Sequence, residues 1–370
     1  MTSKPVVVDQ MGWIKRSEEL ESRSRGPAMV SVIICAYTEQ RWDELDKAVQ
    51  QVGEQSPAPD EIILVIDHNP ELLERAAQAF QGVQVIPNLE TRGLSGARNS
   101  GVKAARGDIL VFMDEDAWPE PGWLERLLDS YQDPQVLGAG GAIVPDWEGG
   151  RPAWFPEEFD WVVGCTYQGM PTHTRPVRNL IGANMSFRRA VFQETGGFKS
   201  GIGRVGRFPA GGEETEFSIR VRQQVPNGVF LYIPAARVRH RVPLSRSNRS
   251  YFISRCYAEG LSKALVTKMV GTRDGLGTER TYTLRTLPLG VLRGLWQAMR
   301  GDLSGLQRSL AIVSGLLLTM AGYLMGKLKL VGARKNMPEH SVESQTIQHQ
   351  NLPQQSWGER NVSTETIRGE

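Results

Sequence analysis

The feature that most constrains this chain is the alternation, through its first part, of short β-branched apolar runs with amphipathic stretches. Val30–Ala36 reads VSVIICA and Glu61–Ile66 reads EIILVI, and residues 83–86 and 109–113 (ILVFM) repeat the signature. Each run is short, rich in Val and Ile, and reads as a buried strand. Between them, Leu45, Ala48, Val49 and Val52 share one helical face, as do Leu73, Ala76, Ala77 and Phe80. Asn69-Pro70 supplies the cap and first-turn proline of the second of these helices. A third helix is expected over 94–106, ended by Gly107, and Trp123, Leu124, Leu127, Leu128 and Tyr131 mark a fourth. Strands that alternate with helices across short links must run parallel through crossover connections. Ligands of such sheets collect at the carboxyl ends of strands. Three of those ends carry polar residues here: Tyr37-Thr38, Asp67-His68 and Asp114-Glu115-Asp116.

Beyond this half the pattern loosens. Residues 136–242 are rich in Gly, Pro and Trp and read as mixed strands and loops that shape a pocket. The chain then turns helical past Tyr251. The sequence predicts four parts: a polar segment over 1–28, a catalytic domain over 29–250, a helical extension over 251–335, and a disordered polar tail over 336–370. With 370 residues, 40% of them hydrophobic, there is ample material for a buried core. Net charge is +2, from 43 basic and 41 acidic residues, which speaks against a nucleic-acid partner. Cys35, Cys165 and Cys256 have neither zinc spacing nor a disulfide framework, and 1–28 lacks the apolar run of a signal peptide. The expected setting is the cytoplasm, at the inner face of the plasma membrane, since 309–326 carries no charged side chain between Arg308 and Lys327. That stretch is diluted by Gly315, Gly322 and Gly326. It reads as a helix lying on the membrane, a weak span, or a helix packed on its own domain; peripheral contact, helped by Arg293, Arg300 and Arg308, is the favoured reading.

The acidic triplet is the chemical centre. Asp114 and Asp116, two apart on an extended chain, project the same way, and a pair of hard oxygen ligands suits Mg²⁺ or Mn²⁺ beside a substrate phosphate. Taken alone, a solvated acidic turn that caps the following helix explains the triplet equally well.

The order of motifs adds to this. VSVIICAYTEQR, EIILVIDHNPE, GLSGARNSGVKAARGDILVFMDEDAWPEPGWLERL, RNLIGANMSFRRAVFQETGGF and GGEETEFSIRVRQ, followed by VRHRVP, together resemble glycosyltransferase family 2. The resemblance implies a GT-A fold, an α/β type with a mostly parallel nucleotide-binding sheet flanked by helices and an acidic DxD motif, here with a C-terminal helical extension. It implies a metal-dependent inverting glycosyltransferase that moves a sugar from a nucleotide-sugar, expected to be a UDP-sugar, to a glycan or lipid-linked acceptor. Ala36, Tyr37, Thr38, Asp67, Gly93, Arg98 and Asp114 would line the nucleotide. Gly182, Ala183, Asn184 and Glu213 would border the donor sugar. Asp114, Asp116 and His240 would hold the divalent cation. Glu214 stands where the family pattern has an aspartate base, so it is the candidate catalytic residue, one methylene longer than usual. His68-Asn69-Pro70 also departs from the commoner Asp-Gly-Ser. Two other readings stay open: a catalytically degenerate binding or scaffold protein, and a nucleotidyltransferase. The latter is disfavoured because Ala36-Tyr37-Thr38-Glu39-Gln40 has no glycine to cradle a triphosphate.

Overall fold

The computed structural model describes residues 28–202, 211–275 and 279–335. The polar segment expected at the N-terminus, apart from Ala28, and the tail expected at 336–370 lie outside the described residues. Four parallel strands open the fold: β1 (Val30–Ala36), β2 (Glu61–Ile66), β3 (Gln84–Pro87) and β4 (Ile109–Asp114), in the spatial order β3-β2-β1-β4. The crossovers are α1 (Trp42–Gly53), α2 (Pro70–Ala79) and α3 (Leu94–Ala104). Asn69 caps α2 as expected, its Oδ1 accepting the Leu72 N–H at 3.1 Å. The period-2 pleat divides each strand between two cores. Val32, Ile34, Leu64 and Val111 pack with Leu45, Val49 and Leu72 of α1 and α2. Ile33, Ile63, Val65 and Leu110 pack with Ala97 of α3 on the opposite face.

The register brings the strand ends level. Ala36 pairs with Ile66, and Cys35 with Asp114. The polar segments after β1, β2 and β4 therefore meet at one edge.

Past β4 the sheet is mixed, a departure from a mostly parallel arrangement. It gains β5 (Ala117–Pro119), β6 (Val136–Trp147), β7 (Arg175–Val177), β8 (Asn184–Arg188) and β9 (Val229–Val242). Among the described residues, four strand pairs are parallel and four antiparallel. The change comes at β8, which lies antiparallel between β4 and β6. Helices α4 (Trp123–Asp129), α5 (Arg189–Thr195) and α6 (Glu213–Gln224) join these strands. β9 alternates buried and exposed residues along its second half, and Ala117 pairs with His240. This pairing carries the histidine next to the acidic triplet, more than a hundred residues earlier in the chain.

Three long helices complete the body: α7 (Arg249–Val270), α8 (Leu287–Met299) and α9 (Ser304–Lys335). Phe252, Cys256, Leu287, Ala311 and Ile312 belong to the same core as the sheet residues above, so these helices are packed on the catalytic part. The glycines of the uncharged stretch explain how. A Cβ on Gly322 would lie 2.1 Å from the Tyr257 carbonyl oxygen, and one on Gly260 would lie 2.1 Å from that of Thr319. The backbones of α7 and α9 thus approach along a seam where side chains do not fit. The outer side of α9 leaves Leu310, Val313, Leu317, Met320, Leu324 and Leu328 exposed. By length and composition Ser304–Leu330 is apolar enough to cross a membrane, with 33% of its most apolar window buried. The compact body ends at Leu328, within α9.

Candidate active site

The triplet is not a continuous strand. β4 ends at Asp114, the chain turns at Glu115 and Asp116, and β5 begins at Ala117. Glu115 stays beside the other two carboxylates, sharing Arg41 Nη1 with Asp116, but is outside the set of converging ligand atoms. Its Oε2 accepts the Tyr37 N–H at 3.0 Å, and its Oε1 accepts Arg41 Nη1 at 2.8 Å. Glu115 thereby ties the loop after β1 to the triplet. Burial pushes its carboxyl up to about 8, against the pull of Arg41.

Asp114, Asp116 and His240 converge, with ligand atoms all within 4.8 Å of one another. Asp116 is buried among nitrogen groups: His240 Nε2 lies 3.2 Å from Oδ1, and the guanidinium atoms Arg41 Nη1 and Arg246 Nη2 lie 3.1 and 3.5 Å from Oδ2. Burial alone would favour the neutral acid, but His240, Arg41 and Arg246 outweigh it and hold the carboxyl well below the usual range. Asp114 is partly open, at 31% side-chain exposure, and faces a pocket of about 700 Å³ with its open mouth included. Cys35, Ala36, Tyr37, Arg41, Asp67 and Arg92 line the same pocket. Two carboxylates and an imidazole, one of them open to the pocket, form a donor set that fits a divalent cation.

The other sequence candidates separate into those at the pocket and those that support it. Ala36, Tyr37 and Asp67 line it, whereas Thr38 turns aside and accepts the Gln40 N–H. Asp67 also braces the next loop: Oδ1 accepts Asn88 Nδ2 at 2.6 Å and Oδ2 accepts the Gly93 N–H at 2.9 Å. Gly93 is thereby fixed at the start of α3, between the pocket residues Arg92 and Leu94. Arg98 is 2% exposed, and its guanidinium joins two distant parts of the chain. Nη1 donates to Glu213 at 2.8 Å and Nη2 to Asp114 at 3.3 Å. Burial opposes the charge, yet Glu213 and Asp114 together raise the arginine pKa. Arg98 is an ion-pair bridge, and Gly182 makes room for it, since a Cβ there would meet Nη2 at 2.6 Å.

Asn184 is held within the fold. Its side chain is fully buried and entirely committed within the fold. Oδ1 accepts Trp123 Nε1 at 2.8 Å, and Nδ2 donates to the carbonyls of Ala142 and Ala236 at 3.1 and 2.9 Å. It therefore joins α4, β6 and β9 through its side chain. Gly182 and Ala183 line neither this pocket nor the cavity described next. An Asn184→Ala variant should lose about 1–3 kcal/mol of stability in urea denaturation, because it strands a buried Trp N–H and two carbonyls. Nucleotide affinity of the folded fraction should be unchanged.

At the start of α6 the two glutamates diverge. Glu213 is buried on Arg98, and its Oε2 is buried with no partner within the protein. Glu214 is half-buried and lines a second cavity, bordered by residues of α7, α8 and α9. Burial and the adjacent Glu213 push its carboxyl up to about 8.

Arg41, Arg92 and Arg246 escaped the sequence reading. The signal available for the first two was a basic residue a few positions beyond a strand end in an otherwise polar loop. Arg246 carried none.

The sequence pattern described as Glycosyl transferase family 2 matches residues 31–196. The chain is 36% identical over 241 residues to the glucosyl-dolichyl phosphate glucuronosyltransferase of Haloferax volcanii, covering 64% of this chain and 77% of that protein. It is 28% identical to human polypeptide N-acetylgalactosaminyltransferase 15, over 57% of this chain but only 35% of that longer protein. Among solved structures it is similar to the mannosyltransferase PcManGT from Pyrobaculum calidifontis in complex with GDP-Man and Mn²⁺, at 15% identity and TM-score 0.49 over 84% of this chain and 94% of that one. A chain that carries the family pattern and shares more than a third of its aligned residues with most of a named transferase belongs to glycosyl transferase family 2.

Proposed function

We propose that this family member is a metal-dependent inverting glycosyltransferase that moves a sugar from a UDP-sugar to the hydroxyl of a glycan or lipid-linked acceptor. The observation that carries this reading is the convergence of Asp114, Asp116 and His240 in the wall of the pocket at the strand ends. These three would hold the cation, which when bound supplies Lewis-acid stabilisation of charge on the departing diphosphate. Tyr37, 39% exposed, offers a ring to the base, and the Asp67 carboxylate suits an imide N–H such as that of uracil. Glu213 Oε2, buried and unpartnered, is an acceptor for a hydroxyl of the donor sugar. Glu214 takes the proton of the acceptor hydroxyl as its oxygen bonds to the anomeric carbon and the bond from that carbon to the diphosphate oxygen breaks. Its raised pKa suits a base that works near neutral pH. The extra methylene relative to aspartate is accommodated by a cavity that leaves room beyond the carboxylate.

The exposed apolar side of α9 supports peripheral contact with a membrane at its cytoplasmic face. A spanning helix would have to leave the glycine seam that holds α9 on α7. The lipid named for the Haloferax relative agrees with such a position.

Nucleotide-sugars assayed by calorimetry with and without Mn²⁺ test the proposal. At least one UDP-sugar should bind only with the cation, and Asp114→Ala should abolish that dependence. If no nucleotide-sugar binds, the transferase reading fails.

A further inference from the structure

The cavity beyond Glu214 has about 1570 Å³ with its open mouth included, and its walls differ in chemistry. One part of the lining is Trp161, Tyr167, Asn179 and Thr215. The aromatic rings there are held in place: Trp161 Nε1 donates to the Tyr282 hydroxyl at 2.9 Å, that hydroxyl donates to the Glu158 carbonyl oxygen at 2.6 Å, and the Tyr167 and Tyr282 rings pack edge to face at 5.2 Å. Rigid rings beside amide and hydroxyl groups are the surface that a sugar recognises, apolar C–H faces on aromatics and hydroxyls on polar groups.

The floor is charged but internally balanced. Arg178 Nη1 donates to Glu279 Oε2 at 3.0 Å, and Lys263 donates to Glu279 Oε1 at 2.8 Å and lies 3.4 Å from Glu259. Against the cost of burial, Lys263 and Arg178 hold Glu279 down to about 2. The floor therefore offers fixed hydrogen-bonding groups more than net charge.

The opposite wall is α9. Leu316, Met320, Tyr323 and Leu324 line the cavity at helical spacing. Met320 and Leu324 are also 51% and 60% exposed, so this wall continues onto the outer apolar surface without a polar rim between them. A free sugar would leave that wall wet. An occupant with a polar head and a hydrocarbon chain covers both halves.

We propose that this cavity is the acceptor site and takes an amphiphile, a sugar carried on a hydrocarbon chain. The sugar lies against Trp161 and Tyr167 with its hydroxyl toward Glu214, and the chain runs along Leu316, Met320 and Leu324 to the membrane-facing surface of α9. The inference rests on the reading of Glu214 as the base. It adds which residues receive the acceptor and why the acceptor needs a chain.

Methyl, octyl, decyl and dodecyl glucoside, held below micelle formation, test this by calorimetry on the full-length protein. Affinity should rise with chain length, by up to about fourfold per added methylene where the chain is fully covered. Met320→Asp, at a half-exposed position that tolerates the change, should flatten that dependence and leave melting temperature and nucleotide-sugar affinity unaltered. Leu310→Asp, on the outer surface but away from the cavity, should preserve it. Equal binding of methyl and dodecyl glucoside, or no binding of any, overturns the proposal. So does equal loss in Leu310→Asp, which would mean general adsorption to the apolar face, or an unchanged dependence in Met320→Asp. Because nucleotide-sugar binding is measured on the same protein, a failure here with intact donor binding rejects the acceptor site alone.

Discussion

Glu214→Gln should lower the turnover number by between about 100- and 10 000-fold, the usual contribution of a positioned general base. Nucleotide-sugar affinity should stay within about twofold, since Arg98 and the donor pocket contact Glu213 and Asp114 and not this side chain. The wild-type pH profile carries the same assignment. With the Glu214 carboxyl pushed up to about 8, the neutral, inactive form predominates below that value. Turnover should therefore climb as pH rises from 6.5 through 8 and level off above it. Glu213→Gln removes the charge next to Glu214, so the midpoint of that climb should move to lower pH. A Glu214→Gln enzyme that keeps wild-type turnover would remove Glu214 from the chemistry while leaving the family and the pocket intact.

Arg98→Ala should be the most damaging change to the fold. It removes a guanidinium that is 2% exposed and leaves Glu213, itself 4% exposed, as a buried carboxylate facing no cation. Breaking one partner of such a pair costs about 3–5 kcal/mol, which denaturant titration would register directly. The double variant Arg98→Met with Glu213→Gln should recover much of that loss, because no buried charge is then left alone. Recovery of stability would not restore catalysis. The start of α6 would no longer be locked to the end of β4, and the base would lose its fixed relation to the metal ligands. If Arg98→Ala unfolds no more easily than the wild type, the bridge is not what holds the two halves of the site together.

Much of this site was readable from residue order. Short Val- and Ile-rich runs separated by amphipathic stretches have one economical arrangement, a parallel sheet with crossover helices, and that rule places Tyr37, Asp67 and Asp114 at one edge. His240 was marked only through the family resemblance, and its pairing with Ala117 is what carries it beside the triplet. The position of Asn184 was not readable. Its identity suits a loop near a ligand, and only the packing shows its two polar side-chain atoms committed, in three hydrogen bonds, to Trp123, Ala142 and Ala236. The glycines of 309–326 misled in a similar way. They weaken the stretch as a membrane span, yet their use is to let α9 lie against α7, leaving the other side of the helix apolar and exposed.

Residue order by itself settled the four parallel strands, most of the helices, and the strand ends at which Tyr37, Asp67 and Asp114 meet. These depend on local periodicity, because burial on one face of a helix or both faces of a strand imposes a repeat that the chain must carry in sequence. Tertiary structure decided the rest. The Arg98–Glu213 bridge spans 115 positions, the Arg41 and Arg246 contacts to Asp116 come from opposite ends of the domain, and the second cavity is closed by helices that follow it in the chain. Contacts of this kind are selected by the packing of whole elements, and no repeat in the sequence records which distant side chains will meet.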